Sequence, residues 1–180
     1  MNTLNNKIIY TIGHSTHTAS EFLSMLQSFD IRLLVDVRSL PGSNKFPQFN
    51  KENLQPWLEV HGITYIHMAD LGGRRRVHKD SHNDRWHKDA FRGYADYMES
   101  NEFKAAIQHL EALALQQCTV YMCAEALWWR CHRSMISDYL LSKSWLVRHI
   151  MGIGKIQEHT YTQPAIIVNG VLSYSNDDLG

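Results

Sequence analysis

The sequence predicts a three-layer α/β fold on a largely parallel sheet of about five strands, finished by a small C-terminal hairpin. Three observations predict it. Apolar runs rich in β-branched residues alternate with segments of helical period. One of those runs, IRLLVDV, is apolar almost without a break, as a strand buried on both faces requires. Each run also ends in a polar or glycine-bearing turn. At 180 residues the chain suffices for one full core, so residues 1–180 are expected to form a single α/β domain.

The elements follow in order. KIIYTI, residues 7–12, reads as a first strand ending at Gly13-His14-Ser15. TASEFLSMLQSF opens with Thr18 three residues before Glu21, a capping box, and carries Phe22, Leu23, Leu26 and Phe29 at helix-face spacing. IRLLVDV is the second strand and ends in Asp36-Val37-Arg38-Ser39. After the loop LPGSNKFPQFN, Asn50 is placed to cap a helix over KENLQPWLEVHG, which Pro56 should kink or delay and Gly62 should end. ITYIHM is a third strand leading into Ala69-Asp70-Leu71-Gly72-Gly73. FRGYADYMES and NEFKAAIQHLEALALQQ read as two helices, the second long and amphipathic. CTVYM is a fourth strand running into Cys123, RCHRSMISDYLLSKS a helix and LVRHIM a fifth strand. PAIIVNGVLSY holds the Asn-Gly signal of a hairpin.

Composition narrows the function classes. Eighteen Lys plus Arg balance eighteen Asp plus Glu, so no global basic field advertises nucleic-acid binding. The balance fails locally in GRRRVHKDSHNDRWHKDAFR, where seven cations meet three aspartates and three histidines. No run approaches eighteen apolar residues and the start lacks the pattern of a secretion signal, so a cytoplasmic protein without a membrane partner is expected. Cys118, Cys123 and Cys131 are an odd set without a secreted framework and are expected to be reduced thiols.

In open parallel sheets, ligands bind beyond the carboxyl ends of the strands. Here those ends carry His14 and Ser15, Asp36 with Arg38 and Ser39, Gly72-Gly73 with Arg74 and Arg75, and Cys123 with Glu125. Cys131, His132 and Arg133 open the helix after the fourth strand, where free N–H groups and the dipole favour anions. A thiol in that field is depressed in pKa and nucleophilic. The placement separates the two cysteines, with Cys123 at the sheet edge and Cys131 at the helix start. Successive helical residues point about 100° apart, which sets Cys131 and His132 on different bearings, and no metal site is assigned.

The motifs GHST, LLVDVRSLPGS, FPQFN, GITYIHMADLGGRRR, FRGYADYM and MCAEALWWRCHRSMISDYL, in this order, resemble the domain of unknown function 488 family over roughly residues 7–150. The resemblance implies a Rossmann-like α/β sandwich and no stated activity. The chain departs from the family pattern with Asn44-Lys45 after Pro41-Gly42-Ser43, where basic residues often cluster, and with Trp128 where proline often precedes Trp129.

The expected function is an enzyme whose site lies at the carboxyl edge of the sheet and binds an anion: a nucleotide, phosphate or nucleic acid. Cys123 serves as nucleophile or redox thiol, and Glu125, Asp36 and His14 handle protons or orient partners. Arg38, Ser39, Ser43, Arg74, Arg75 and Arg133 hold negative charge, with Ser15, Cys131 and His132 in support. No motif specifies a cofactor; GIGK, Gly152 to Lys155, lacks the spacing and Ser/Thr of a P-loop. The structural readings stand beside these: buried inert thiols, a solvated charge run, and Asp36 ion-paired with Arg133 to order a loop. The alternatives from other classes are a noncatalytic nucleic-acid-binding module using residues 74–92 and Trp86, and a structural zinc or partner-binding domain.

Overall fold

The computed structural model describes residues 7–180, so the reading of the extreme N-terminus as no secretion signal falls largely outside the described residues. Six strands form the main sheet in the order β3-β2-β4-β1-β5-β6. In chain order these are β1 (Ile8–Gly13), β2 (Leu33–Asp36), β3 (Thr64–His67), β4 (Thr119–Cys123), β5 (Leu146–Gly152) and β6 (Lys155–Glu158). The first five are mutually parallel, and β6 pairs antiparallel with β5. A separate hairpin, β7 (Ile166–Val168) and β8 (Val171–Ser173), turns through Asn169 and Gly170, both at positive φ as a type I′ turn demands.

Helices α1 (Ala19–Gln27) and α2 (Lys51–Val60) cover one face, where Phe22, Leu26, Leu54 and Leu58 meet Leu34, Val120 and Met122. Helices α3 (Asp89–Tyr97), α4 (Asn101–Gln116) and α5 (Arg133–Ser142) cover the other, where Tyr94, Phe103, Ile107, Met135 and Ile136 meet Leu33, Val35 and Tyr121. The unbroken apolar runs of β2 and β4 are thus explained, because successive residues serve opposite cores.

The crossover from β1 passes over β4 to reach β2, while that from β4 passes over β1 to reach β5. Adjacent strands whose connections leave in opposite directions open a crevice at their carboxyl ends. The register aligns Gly13 with Cys123, and Asp36 with both Met122 and His67, so these residues share one edge of the sheet.

Local departures have local causes. Thr18 caps α1, its Oγ1 accepting from the Glu21 N–H at 3.1 Å. Asn50 precedes α2 but does not cap it, because its Oδ1 accepts from the Ser43 N–H at 2.6 Å and fastens the preceding loop instead. Pro56 neither delays nor divides α2, which runs Lys51–Val60 through it. The sixth strand was not expected: KIQE is exposed at each position and lacks apolar alternation, and it is held as an edge strand by its pairing with β5. GIGK is the turn of that β5–β6 hairpin, with Gly154 at φ +65°.

Candidate functional site

The carboxyl ends of β1 and β4 touch. His14 and Ser15 N–H groups donate to the carbonyls of Cys123 and Ala124, both at 2.9 Å. A Cβ on Gly13 would lie 1.8 Å from the Glu125 carbonyl oxygen, so only glycine lets the loop after β4 fold across the end of β1. Ser15 follows at φ 47°, turning the chain away from the sheet.

At the end of β2, Arg38 forks onto Asp36. Nε donates to Oδ1 at 2.9 Å and Nη2 to Oδ2 at 2.7 Å, with Asp36 fully buried and Arg38 8% exposed. Tyr65 from β3 donates its hydroxyl to Oδ2 at 2.5 Å, and Arg38 Nη2 also reaches the Phe49 carbonyl at 2.7 Å. Burial opposes the charged form of Arg38, and the bond to Asp36 outweighs it and pushes the pKa up. The ion pair foreseen between Asp36 and Arg133 is therefore not formed: alternation along β2 and β3 gives Asp36 the same side as Arg38 and Tyr65.

The Arg38 guanidinium also fixes His14. Nη1 lies 3.3 Å from His14 Nε2, while Nδ1 donates to the Ser15 carbonyl at 2.9 Å, so the neutral ring presents Nε2 as acceptor. The ring stacks on Phe49 at 4.3 Å. Burial pulls its pKa down to about 4, Arg38 adding to the effect against the Ser15 carbonyl.

The two cysteines are not separated. Cys131 Sγ and Cys123 Sγ lie 2.7 Å apart and share a hydrogen bond. Cys131 precedes α5 in an extended conformation, φ −130° and ψ 150°, which turns its side chain back over the end of β4. The helical bearing of about 100° does not apply there, and His132 Nδ1 comes within 3.4 Å of Cys131 Sγ. His132 Nε2 donates to the Val37 carbonyl at 3.0 Å, leaving Nδ1 as the acceptor facing the thiol.

The field of the α5 N-terminus falls on Cys131, which accepts the Arg133 N–H at 3.4 Å. Burial raises the Cys131 thiol, but Cys123, the Arg133 guanidinium and that N–H outweigh it and the net direction is down. Cys123 is driven well up, by burial first and then by Cys131, so the two thiols are pushed in opposite directions. Burial also lowers the pKa of His132.

Around these groups lies a cleft with two lobes. One, a cavity of about 350 Å³, is lined by both cysteines, His132, Ser39, Arg74, Phe91 and Arg130. The other, of about 440 Å³, is lined by His14, Ser15, Ser43 and Phe46. Arg38, Leu40, Ala124 and Glu125 line both. Glu125 is exposed there, and among the described residues its carboxylate meets only the Leu127 N–H, at 3.5 Å.

Each of the other expected anion ligands already has a partner within the protein. Arg133, 1% exposed, donates from Nη2 to the Glu125 and Ala126 carbonyls, at 3.0 and 3.3 Å, and locks the loop between them. Among the described residues its Nε has no partner and no carboxylate pairs with it. Arg75 caps the carbonyls of Ala69 and Gly72 and stacks on Tyr97 at 3.5 Å. Ser39 Oγ accepts the Arg74 N–H, and Ser43 Oγ accepts the Lys45 N–H. Among the described residues no three His, Cys, Asp or Glu side chains gather as metal ligands do.

The basic segment is partly structural. Arg85 is bonded to the carbonyls of Gln163 and Pro164, Arg92 to Ser81, and Trp86 packs between Phe91 and Tyr174. Arg74, Arg76, Lys79 and Lys88 remain exposed.

Sequence reasoning missed a buried polar chain behind the cleft. His159 Nε2 donates to Asp138 Oδ1 at 2.8 Å, His159 Nδ1 lies 2.9 Å from His149 Nε2, and His149 Nδ1 lies 2.6 Å from Thr11 Oγ1. Trp128 stacks parallel on His149 at 4.4 Å, coupling the cysteine loop to this chain. Burial and His159 hold His149 down at about 2. The available signal was an inward-facing histidine in the apolar strand LVRHIM. Nor did sequence reasoning single out Tyr65 in ITYIHM or Phe49 in the FPQFN loop, which complete the Arg38 site.

A family model described as domain of unknown function DUF488 matches residues 18–140, which hold every cleft side chain named above except His14 and Ser15. Neither the curated proteins nor the solved structures compared with the chain match it. No helix among the described residues is long and apolar enough to cross a membrane.

Proposed function

Because the chain belongs to the DUF488 family, whose description carries no activity, its chemistry rests on the cleft, and we propose an enzyme that binds a small anionic substrate and attacks it with a cysteine thiolate. The observation that carries this reading is the Cys131 thiol, held between the His132 Nδ1 acceptor and the Arg133 N–H in a cleft that also presents Arg74 and Arg130. The nucleophile therefore moves from Cys123, the expectation from sequence, to Cys131. Cys123 keeps its proton and stabilises the neighbouring thiolate.

In this reading His132 Nδ1 takes the proton of Cys131, and its ring cannot swing away because Nε2–H is bound to Val37. Arg74 and Arg130 supply mobile positive charge at the mouth. Asp36 is saturated by Arg38 and Tyr65, which makes it an orienter of Arg38 rather than a base. Glu125 is the free carboxylate of the cleft and the acid–base partner for a leaving group. Cavities of this size match phosphate-bearing or nucleotide-sized ligands.

Competing alkylation tests it. Reduced protein is treated with iodoacetate, an anion, and with iodoacetamide, its neutral analogue, with glutathione as the free-thiol reference. The expected result is a rate ratio favouring iodoacetate by about tenfold over glutathione, centred on Cys131, suppressed by inorganic phosphate and lost in Arg74→Ala with Arg130→Ala. A ratio equal to that of glutathione and insensitive to phosphate overturns the proposal.

A further inference from the structure

We propose that Cys131 and Cys123 form a hydroperoxide-reactive dithiol, in which Cys131 is oxidised first and Cys123 resolves it to an intramolecular disulfide that removes the thiolate from the cleft. The proposal rests on the reading of Cys131 as the cleft thiolate and adds a second co-substrate class and a reversible off state.

Four observations support it. The sulfurs are already in contact at 2.7 Å, so closure requires no movement of the sheet. Cys131 has its own proton acceptor in His132 Nδ1 and its own N–H donor in Arg133, the surroundings that raise thiolate content. Both sulfurs line a cavity that admits a small peroxide. The remaining thiol, Cys118, lies beyond the amino end of β4, about 16 Å away along the strand, and donates to the Phe29 carbonyl, so it takes no part. A thiolate beside a resolving cysteine is the arrangement that diverts a sulfenic acid from irreversible oxidation.

The steps balance. The Cys131 thiolate attacks the terminal oxygen of the hydroperoxide; the O–O bond breaks as the S–O bond forms, and the departing alkoxide or hydroxide takes the proton held on His132. Cys131 is now a sulfenic acid and the peroxide is reduced to an alcohol or water. The Cys123 sulfur then attacks Cys131 Sγ; the S–S bond forms, the S–O bond breaks, and hydroxide leaves with the Cys123 proton as water. One dithiol and one hydroperoxide give one disulfide, one alcohol or water, and one further water.

The test treats the reduced full chain with stoichiometric hydrogen peroxide and maps the cysteine peptides by mass spectrometry. The expected product loses two hydrogens, links Cys123 to Cys131, leaves Cys118 free and reverts with dithiothreitol. Cys123→Ser should stop at a sulfenic acid on Cys131 that dimedone traps, and Cys131→Ser should react with peroxide at least about tenfold more slowly than Cys118→Ser. Oxygen addition to wild type without the link, or a link through Cys118, overturns the proposal without needing any variant to fold. Iodoacetate preference without disulfide formation sinks the dithiol alone. Disulfide formation without iodoacetate preference sinks the anion-directed enzyme and leaves the dithiol standing.

Discussion

Arg38 holds Asp36 through two parallel hydrogen bonds, 2.9 and 2.7 Å, at the point where β2 ends and the cleft begins. Both partners are nearly sealed from water, so removing one strands a buried charge. Arg38→Ala is expected to lose about 3–5 kcal/mol in urea denaturation. Adding Asp36→Asn should cost less than the sum of the two single changes, and strict additivity in that double-mutant cycle would refute the coupling.

Gly13 is expected to tolerate no side chain. Gly13→Ala drives its Cβ into the Glu125 carbonyl, whereas Gly42→Ala meets nothing within 4 Å. The first should lower stability by about 1–3 kcal/mol and speed alkylation of Cys131 as the loop loosens; the second should do neither. Equal thermal denaturation midpoints for the two variants would show that the β1–loop contact is not needed.

The buried histidines make the fold acid-sensitive, and proton counting fixes the sign. Between pH 6.5 and about 4 the unfolded chain binds a proton at His14 that the folded chain excludes, so stability falls as pH falls through that window. The His14 share is about 3 kcal/mol, and His149, held down at about 2, adds in the same direction. In His14→Gln the slope of stability against pH between 6 and 4.5 should shrink by about 1.2 kcal/mol per unit. An unchanged slope, or a His14 ring signal titrating near its ordinary value by NMR, would contradict the buried neutral ring.

Asp138 accepts from His159, from the Tyr174 hydroxyl, and from both the N–H and the hydroxyl of Thr162, tying the segment after β6 to α5. Asp138→Asn places an amide N–H against one of those donors and should cost about 1–3 kcal/mol. Hydrogen exchange should show faster opening of residues 159–174 while β1, β2 and β4 stay protected. Uniform loss of protection across the sheet would mean that the segment is part of the same cooperative unit.

Trp86 is packed rather than presented, stacking on Phe91 at 4.9 Å and meeting Tyr174 edge-on. Trp86→Ala should destabilise the fold by about 2–3 kcal/mol and leave salt-dependent retention on an oligonucleotide column unchanged. Loss of retention without loss of stability would favour the nucleic-acid-binding module instead.

The order of strands and helices was legible because burial imposes period: IRLLVDV and CTVYM are apolar on both faces since each separates two cores, and TASEFLSMLQSF shows one apolar stripe since α1 covers one. The edge strand KIQE left no such trace, having no face to bury. The gathering of His14, Asp36, Arg38, Cys123 and Glu125 at one edge also followed from chain order, because parallel strands bring their carboxyl ends together.

The sequence by itself therefore determined the layers, the parallel sheet and the edge that carries the polar residues, all of which follow from local periodicity and connection length. Only the tertiary structure decided the pairings: Asp36 with Arg38 and Tyr65 rather than Arg133, Cys131 against Cys123 rather than apart from it, and Arg75 on Tyr97 rather than in the cleft. Each of these depends on a side-chain direction set by a residue outside regular structure or by a neighbour distant in sequence. The extended backbone at Cys131 and the bare Cα of Gly13 are the two that bring the cysteines together beneath a closed loop.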